Sequence, residues 1–204
     1  MNPVASALSA LATTLDALDR CWALIGGLAV SCHVDPRFTR DVDVAIAVTD
    51  DSDAEALVHA LASSGYRVSA AIEQDAVGRL ATVRLVGAQQ DVVLDLMFAS
   101  SGIEPEICAG AMRIEALPGL TVPVASRAHL VAMKVLSVDD TRLQDALDLR
   151  ALLAGTTDAD LQDVETAIAL IAHRGYHRGR DLGARLRQFL EGRDTGHERP
   201  RTSR

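Results

Sequence analysis

A chain of 204 residues that is 49% hydrophobic but only 3% aromatic has material for one large domain, or a domain with a smaller helical annex. Its core must be built from Ala, Val, Leu and Ile, and no apolar run approaches the roughly 20 residues that cross a bilayer as a helix, so a helical membrane protein is excluded. The net charge of −8 is unevenly spread: from His173 onward nine arginines stand against four acids, leaving an acidic body with a basic C-terminal tail that is either a local contact for a polyanion or a solvated, frayed end.

Val4, Leu8, Leu11, Leu15 and Leu18 recur at alternating steps of four and three, the stripe of an amphipathic helix. The first basic residue is Arg20, which does not fit the cationic start of a secretory signal. Cys21, Cys32 and Cys108 are odd in number and lack paired metal-ligand spacing, so a reducing cytoplasm is the expected compartment. Residues 21–25 predict a strand ended by Gly26-Gly27, and 28–34 a short helix stopped near Pro36. Residues 41–48 alternate strictly, the period of a strand. Ser52 with Glu55 predicts a capping box, opening a helix through Ala54, Leu57, Val58 and Leu61 that Gly65 ends. Residues 66–69, 79–86 and 92–98 predict further strands, with 87–90 turning between the last two. Residues 112–117 and 120–124 predict two more, parted by Pro118-Gly119. From Ser126 the pattern is helical, in four segments broken near Val138, Gly155 and Gly175. The expected fold is α+β (α/β), with a mixed β-sheet core flanked by helices over residues 1–125. A C-terminal helical bundle over 126–204 ends in the basic tail.

Asp41 and Asp43 stand two apart on a predicted strand, so both side chains leave one face, with Cα atoms about 6.5–7 Å apart. Val42, Val44, Ile46 and Val48 turn the other way, into a core. Paired carboxylates on a sheet face suit Mg2+, which takes oxygen ligands and keeps waters and substrate phosphates, and in-line phosphoryl transfer employs such ions. The plainer reading is a strand edge facing water, although Asp is a poor strand former. An EF-hand calcium loop fits poorly, because Val42, Val44 and Ile46 fill the places between.

Gly26-Gly27 is separated from Asp41 by thirteen residues. A Gly pair between strand and helix exposes backbone N–H groups where a phosphate can sit; an ordinary tight turn is the alternative. Asp95 lies in an otherwise apolar strand, where a charge is costly unless paired or metal-bound. Asp91, at that strand's start, is the fallback. The basic residues are 19 Arg and one Lys, Lys134, on a helix predicted to start at Ser126. A lone ammonium, compact and acting as a point charge, suits a phosphate, and chance in an Arg-rich chain is the alternative. Asp145 returns towards Lys134 if the two helices run antiparallel, or simply pairs with Arg142 on its own helix.

Strand, Gly26-Gly27, helix and Arg37-x-Thr39-x-Asp41-x-Asp43 resemble the signature of the nucleotidyltransferase superfamily, with Asp95 the match to its third carboxylate. With Ala132-x-Lys134 and Arg142-x-x-Asp145-x-x-Asp148-Leu149 added, residues 20–152 resemble the AbiEii/MenT-type toxin nucleotidyltransferases. The resemblance implies a nucleotidyltransferase-like fold and a Mg2+-dependent enzyme. It implies transfer of a nucleoside monophosphate from an NTP, often a pyrimidine one, to the 3′ acceptor end of tRNA, halting translation until a cognate antitoxin intervenes. Gly26, Gly27 and Arg40 are then expected at the nucleotide. Asp41, Asp43 and Asp95 are expected at the metal and in catalysis, Lys134 on phosphate, and Asp145, preferred to Asp148, as the later-helix acid. In some members a kinase antitoxin phosphorylates a Ser or Thr where Thr39 stands. A phosphate of about −1.5 to −2 charge there repels Asp41 and Asp43; unmodified, Thr39 is a plain capping hydroxyl. On this reading residues 173–180 contact the RNA backbone. Two other readings stay open: a small-molecule nucleotidyltransferase of the aminoglycoside type, and a non-catalytic binding partner that keeps the fold alone.

Overall fold

The computed structural model describes residues 2–87, 92–139 and 143–194. Helix α1 (Pro3–Ala17) opens on Asn2, whose side chain accepts from the Val4 N–H, and sinks Leu8, Leu11 and Leu15 fully into the core. Leu18 stays partly exposed because the helix ends one residue before it. Strand β1 (Trp22–Ile25) is buried at every position and runs directly into α2 (Gly26–His33). In β2 (Val42–Ile46) the valines, Ala45 and Ile46 are buried, and Asp41 lies just before its first residue.

Helix α3 (Asp51–Ser63) starts earlier than the Ser52–Glu55 box predicts. Its cap is Asp50, whose carboxylate accepts from the Asp53 N–H at 2.9 Å, while Asp53 accepts from the Thr49 N–H at 3.1 Å. A carboxylate is as good a cap as a serine hydroxyl, so the first one reached takes the position. Gly65 ends the helix as expected, at φ 95°; Tyr66 N–H donates to the Leu61 carbonyl and Gly65 N–H to that of Ala62, the paired bonds of a Schellman ending.

Strand β3 (Arg67–Gln74) runs well past the predicted end at Ser69; it is an edge strand, mostly exposed, with no apolar alternation to reveal its length. It is followed by β4 (Arg79–Val86), β5 (Val93–Met97) and an unexpected short helix, α4 (Glu104–Ala109). With six residues, α4 is too short for a helical repeat to show. Its Glu104 is buried and gathers the N–H groups of Ser100, Ser101 and Gly102 and the Ser101 hydroxyl at 2.7–2.9 Å. Strands β6 (Met112–Leu117) and β7 (Leu120–Val124) complete a seven-stranded mixed sheet of order β3-β4-β5-β2-β1-β7-β6. β2 lies parallel to β5 and antiparallel to β1, and β4 antiparallel to β5.

Helices α5 (Arg127–Ser137), α6 (Leu143–Ala154), α7 (Asp158–His173) and α8 (Leu182–Asp194) follow the predicted breaks. One hydrophobic core runs through the sheet and these helices. Arg127 links them, donating to the carbonyls of His33 at 2.8 Å and Leu152 at 3.1 Å. As far as Asp194 the basic C-terminal segment is not frayed. Arg174 pairs with Glu106 at 2.7 Å, and Arg178 donates to the Ser100 carbonyl at 3.1 Å. Arg180 and Arg185 donate to the carbonyls of Leu136 and Val138 at the end of α5, where unpaired carbonyls attract cations. Arg199, Arg201 and Arg204 lie outside the described residues, as do Asp91 and Arg142. No described helix is long and apolar enough to cross a membrane.

Candidate active site

The turn from β1 into α2 demands glycine twice. Gly26 stands at φ 64°, and a Cβ there would overlap the Asp43 carboxylate. A Cβ on Gly27 would come within 2.8 Å of the Arg37 guanidinium. Ile25, at the cap position, has no side chain able to satisfy the first turn of α2. The unpaired N–H groups of that turn therefore open beside Asp43, a setting that favours an anion.

Gly26, Gly27, Asp41 and Asp43 border one cavity of about 700 Å³. Arg37 and Thr39 border it too, whereas Phe38 and Arg40 do not. The odd-numbered residues from 37 to 43 thus share a face, a period of two that begins before β2 itself. Arg40, expected at the nucleotide, instead sets its guanidinium 5.6 Å from the centre of the exposed Phe38 ring.

Among the described residues, neither the Asp41 nor the Asp43 carboxylate has a hydrogen-bond or ion-pair partner. Burial first, then the charges of Asp95 and Asp41, push Asp43 up to about 7, against the pull of Lys134 and Arg84. Unpartnered carboxylate oxygens, crowded by like charge and pressed against a glycine turn, fit a hard divalent cation. The third acid is engaged differently. Asp95 is Asp43's register partner across β2 and β5, but both its oxygens accept from Arg84, from Nε and Nη2 at 2.8 Å each. Arg84 supplies the pairing that a buried charge in an apolar strand requires. Among the described residues no three His, Cys, Asp or Glu side chains are grouped as a metal cage.

The opposite wall comes from α5 and α6. Lys134 Nζ lies 2.5 Å from Asp145 Oδ1 and 2.8 Å from Asp148 Oδ2. Asp145, preferred from sequence, borders the cavity, while Asp148 is the buried hub, 3% exposed. Asp148 also accepts from Arg37 Nε and Nη2 at 2.9 and 2.8 Å and from Gln144 at 2.8 Å. Burial works to raise the Asp148 carboxyl, but the bonds from Arg37, Lys134 and Gln144 outweigh it and hold the group below the usual carboxylate range. The chain thus brings the glycine pair, Thr39, Asp41, Asp43, Asp95, Lys134 and Asp145 to one cavity.

The sequence profile of the nucleotidyl transferase AbiEii toxin of type IV toxin–antitoxin systems matches residues 9–201. The chain belongs to the AbiEii family. It is accordingly a nucleotidyl-transfer enzyme from a family of toxins. Among solved structures it is similar to an antigenic nucleotidyltransferase-like protein from Paracoccidioides brasiliensis, at 20% identity over 91% of this chain and 93% of that one, with a TM-score of 0.51. That likeness shows a shared fold. Weaker similarities reach JHP933 from Helicobacter pylori (16% identity, 95% and 93% covered, TM-score 0.45) and the antibiotic-resistance factor ANT(2'')-Ia (15%, 91% and 93%, 0.48). No curated protein matches the chain.

Sequence reasoning missed the placement of two arginines. Arg37 stands in the motif without a role that its residue type alone reveals, although its parity with Asp41 and Asp43 puts it on their face. Arg84 is set opposite Asp95 by the register of β4 against β5, which no local pattern in the sequence fixes.

Proposed function

We propose that this AbiEii-family enzyme is the toxin of its pair and transfers a nucleoside monophosphate from an NTP, a pyrimidine one by family likeness, to the 3′ acceptor end of tRNA. The observation that carries the reading is the pair Asp41 and Asp43, unpartnered carboxylates held against the Gly26 turn. In the reaction the terminal hydroxyl gives up its proton to solvent, its oxygen bonds to the α-phosphorus, the bond to the bridging oxygen breaks, and pyrophosphate leaves. The N–H groups at the start of α2 receive the triphosphate. Asp41 and Asp43 hold Mg2+, which when bound neutralises charge on the phosphate oxygens. Lys134 on α5 and Arg37 before β2, both fixed by Asp148, present positive charge to the cavity without needing to reorganise. Arg178, exposed at the cavity's edge, suits a phosphodiester backbone.

Thr39 is the proposed point of control by the antitoxin. It borders the cavity, and its hydroxyl lies 3.5 Å from the Asp41 carbonyl. A phosphate on it, of about −1.5 to −2 charge, competes with the triphosphate and repels both carboxylates, which fits a kinase antitoxin.

The test incubates the protein with Mg2+, each labelled NTP in turn, total tRNA and, separately, an aminoglycoside. The expected result is labelled tRNA with a pyrimidine NTP, lost in Asp41→Asn and Asp43→Asn. Label on the drug alone would move the reading to a small-molecule transferase, and label on neither would leave a binding partner. Mass spectrometry after co-expression with the antitoxin, followed by the same assay, checks Thr39; full activity of the phosphorylated form would sink its role.

A further inference from the structure

Asp43 and Asp95 stand side by side on neighbouring strands, yet their surroundings differ. Asp43 has no partner among the described residues, whereas Asp95 is 8% exposed and both of its oxygens are taken by one guanidinium. Arg84 is Asp95's register partner on the other side, so its fork reaches across a single strand spacing, about 4.8 Å. A planar guanidinium bound through two parallel hydrogen bonds is the most geometrically specific partner a carboxylate has among side chains. The row across the sheet therefore reads Arg84, Asp95, Asp43, with Asp41 two residues before Asp43, just outside β2.

We propose that Arg84 is the built-in cation of this centre and holds Asp95 out of the metal shell. A divalent ion then binds through Asp41 and Asp43 alone, and Asp95 acts on the site by fixing Arg84. The inference rests on the metal-binding role proposed above for Asp41 and Asp43. Three neighbouring carboxylates are met by one permanent positive charge and one exchangeable ion. The Arg84 side chain is 49% exposed and borders the cavity, so it stays accessible while it pairs with Asp95.

The experiment titrates Mn2+ into the full chain and reads free Mn2+ by electron paramagnetic resonance. It is run at about 0.5 M KCl, where screening shortens through-solvent charge effects to a few ångströms. Asp43→Asn is expected to weaken binding by roughly tenfold or more, and Asp95→Asn to change it by less than about threefold. Arg84→Gln is expected to tighten binding by about fivefold, because the freed Asp95 becomes a third oxygen ligand, and adding Asp95→Asn to it removes that gain. Should Arg84→Gln fail to fold, Arg84→Lys keeps the charge without the fork and is expected to tighten binding by about threefold. Asp95→Asn falling as far as Asp43→Asn, or the Arg84 variants binding no tighter than the parent, overturns the inference and leaves the metal site standing. Binding indifferent to Asp43→Asn overturns the metal site, and the inference with it.

Discussion

The two walls of the cavity differ in how their charges are matched. On the helical wall Lys134 lies between Asp145 and Asp148, and Asp148 is also gripped by Arg37 and Gln144. On the sheet wall Asp41 and Asp43 lack partners among the described residues, and the charges of Asp41 and Asp95 both disfavour an ionised Asp43. The helical charges help hold α5, α6 and the Gly27 turn together. On the sheet wall the Asp43 charge works against the fold, as a group kept for a ligand does. Substitutions in the two walls therefore separate stability from activity.

The largest effect is expected at Asp43. Asp43→Asn keeps the shape but removes a carboxylate proposed above as a metal ligand, and loss of several kcal/mol of transition-state stabilisation lowers nucleotidyl transfer by roughly 10³-fold in a steady-state assay. Asp148→Ala comes next and also tests the other wall. Removing one member of a buried ion pair costs about 3–5 kcal/mol, which lowers the melting temperature by roughly 10 °C in a chain of this size. Equal stability of Asp148→Ala and the parent would erase the contrast.

The opposite sign is expected for the stability of Asp43→Asn. With Asp43 pushed up to about 7 by burial and its acidic neighbours, the folded state holds a proton that the unfolded state releases near 4. The parent therefore loses stability as pH rises from about 4 to about 7. Asp43→Asn should match the parent near pH 4 and exceed it at pH 8 by about 1–2 kcal/mol, a few degrees in a thermal melt, since solvent reaching this part-exposed group limits the gain. A less stable Asp43→Asn at pH 8 would reverse the assignment of strain to the sheet wall. The smallest effect is expected at the rim: Arg178→Ala should leave stability within about 0.5 kcal/mol, weaken tRNA binding, and reduce its salt slope by about one.

Much of the site was legible because it is local. The strict alternation over residues 41–48 places Asp41 and Asp43 on one face, and Gly26-Gly27 marks where a backbone must pass close to other groups. Strands β4, β6 and β7 match their predicted limits, bounded by turn residues such as Gly119, at φ 76°. Helix α4 was invisible because six residues give no repeat. The frayed-end reading of the basic tail fails, as far as Asp194, for another reason: composition records the arginines, but not that Arg174, Arg180 and Arg185 bind Glu106 and the backbone carbonyls of other elements.

The sequence by itself determined which residue types stand on which face and where the chain turns, because side-chain period and glycine's freedom act over a few residues. Only the tertiary structure decided who meets whom. Parallel pairing set Asp43 beside Asp95, and helix packing carried Asp148 to Arg37 across 111 positions. Those encounters follow from strand order and burial of one shared core, which no local pattern encodes.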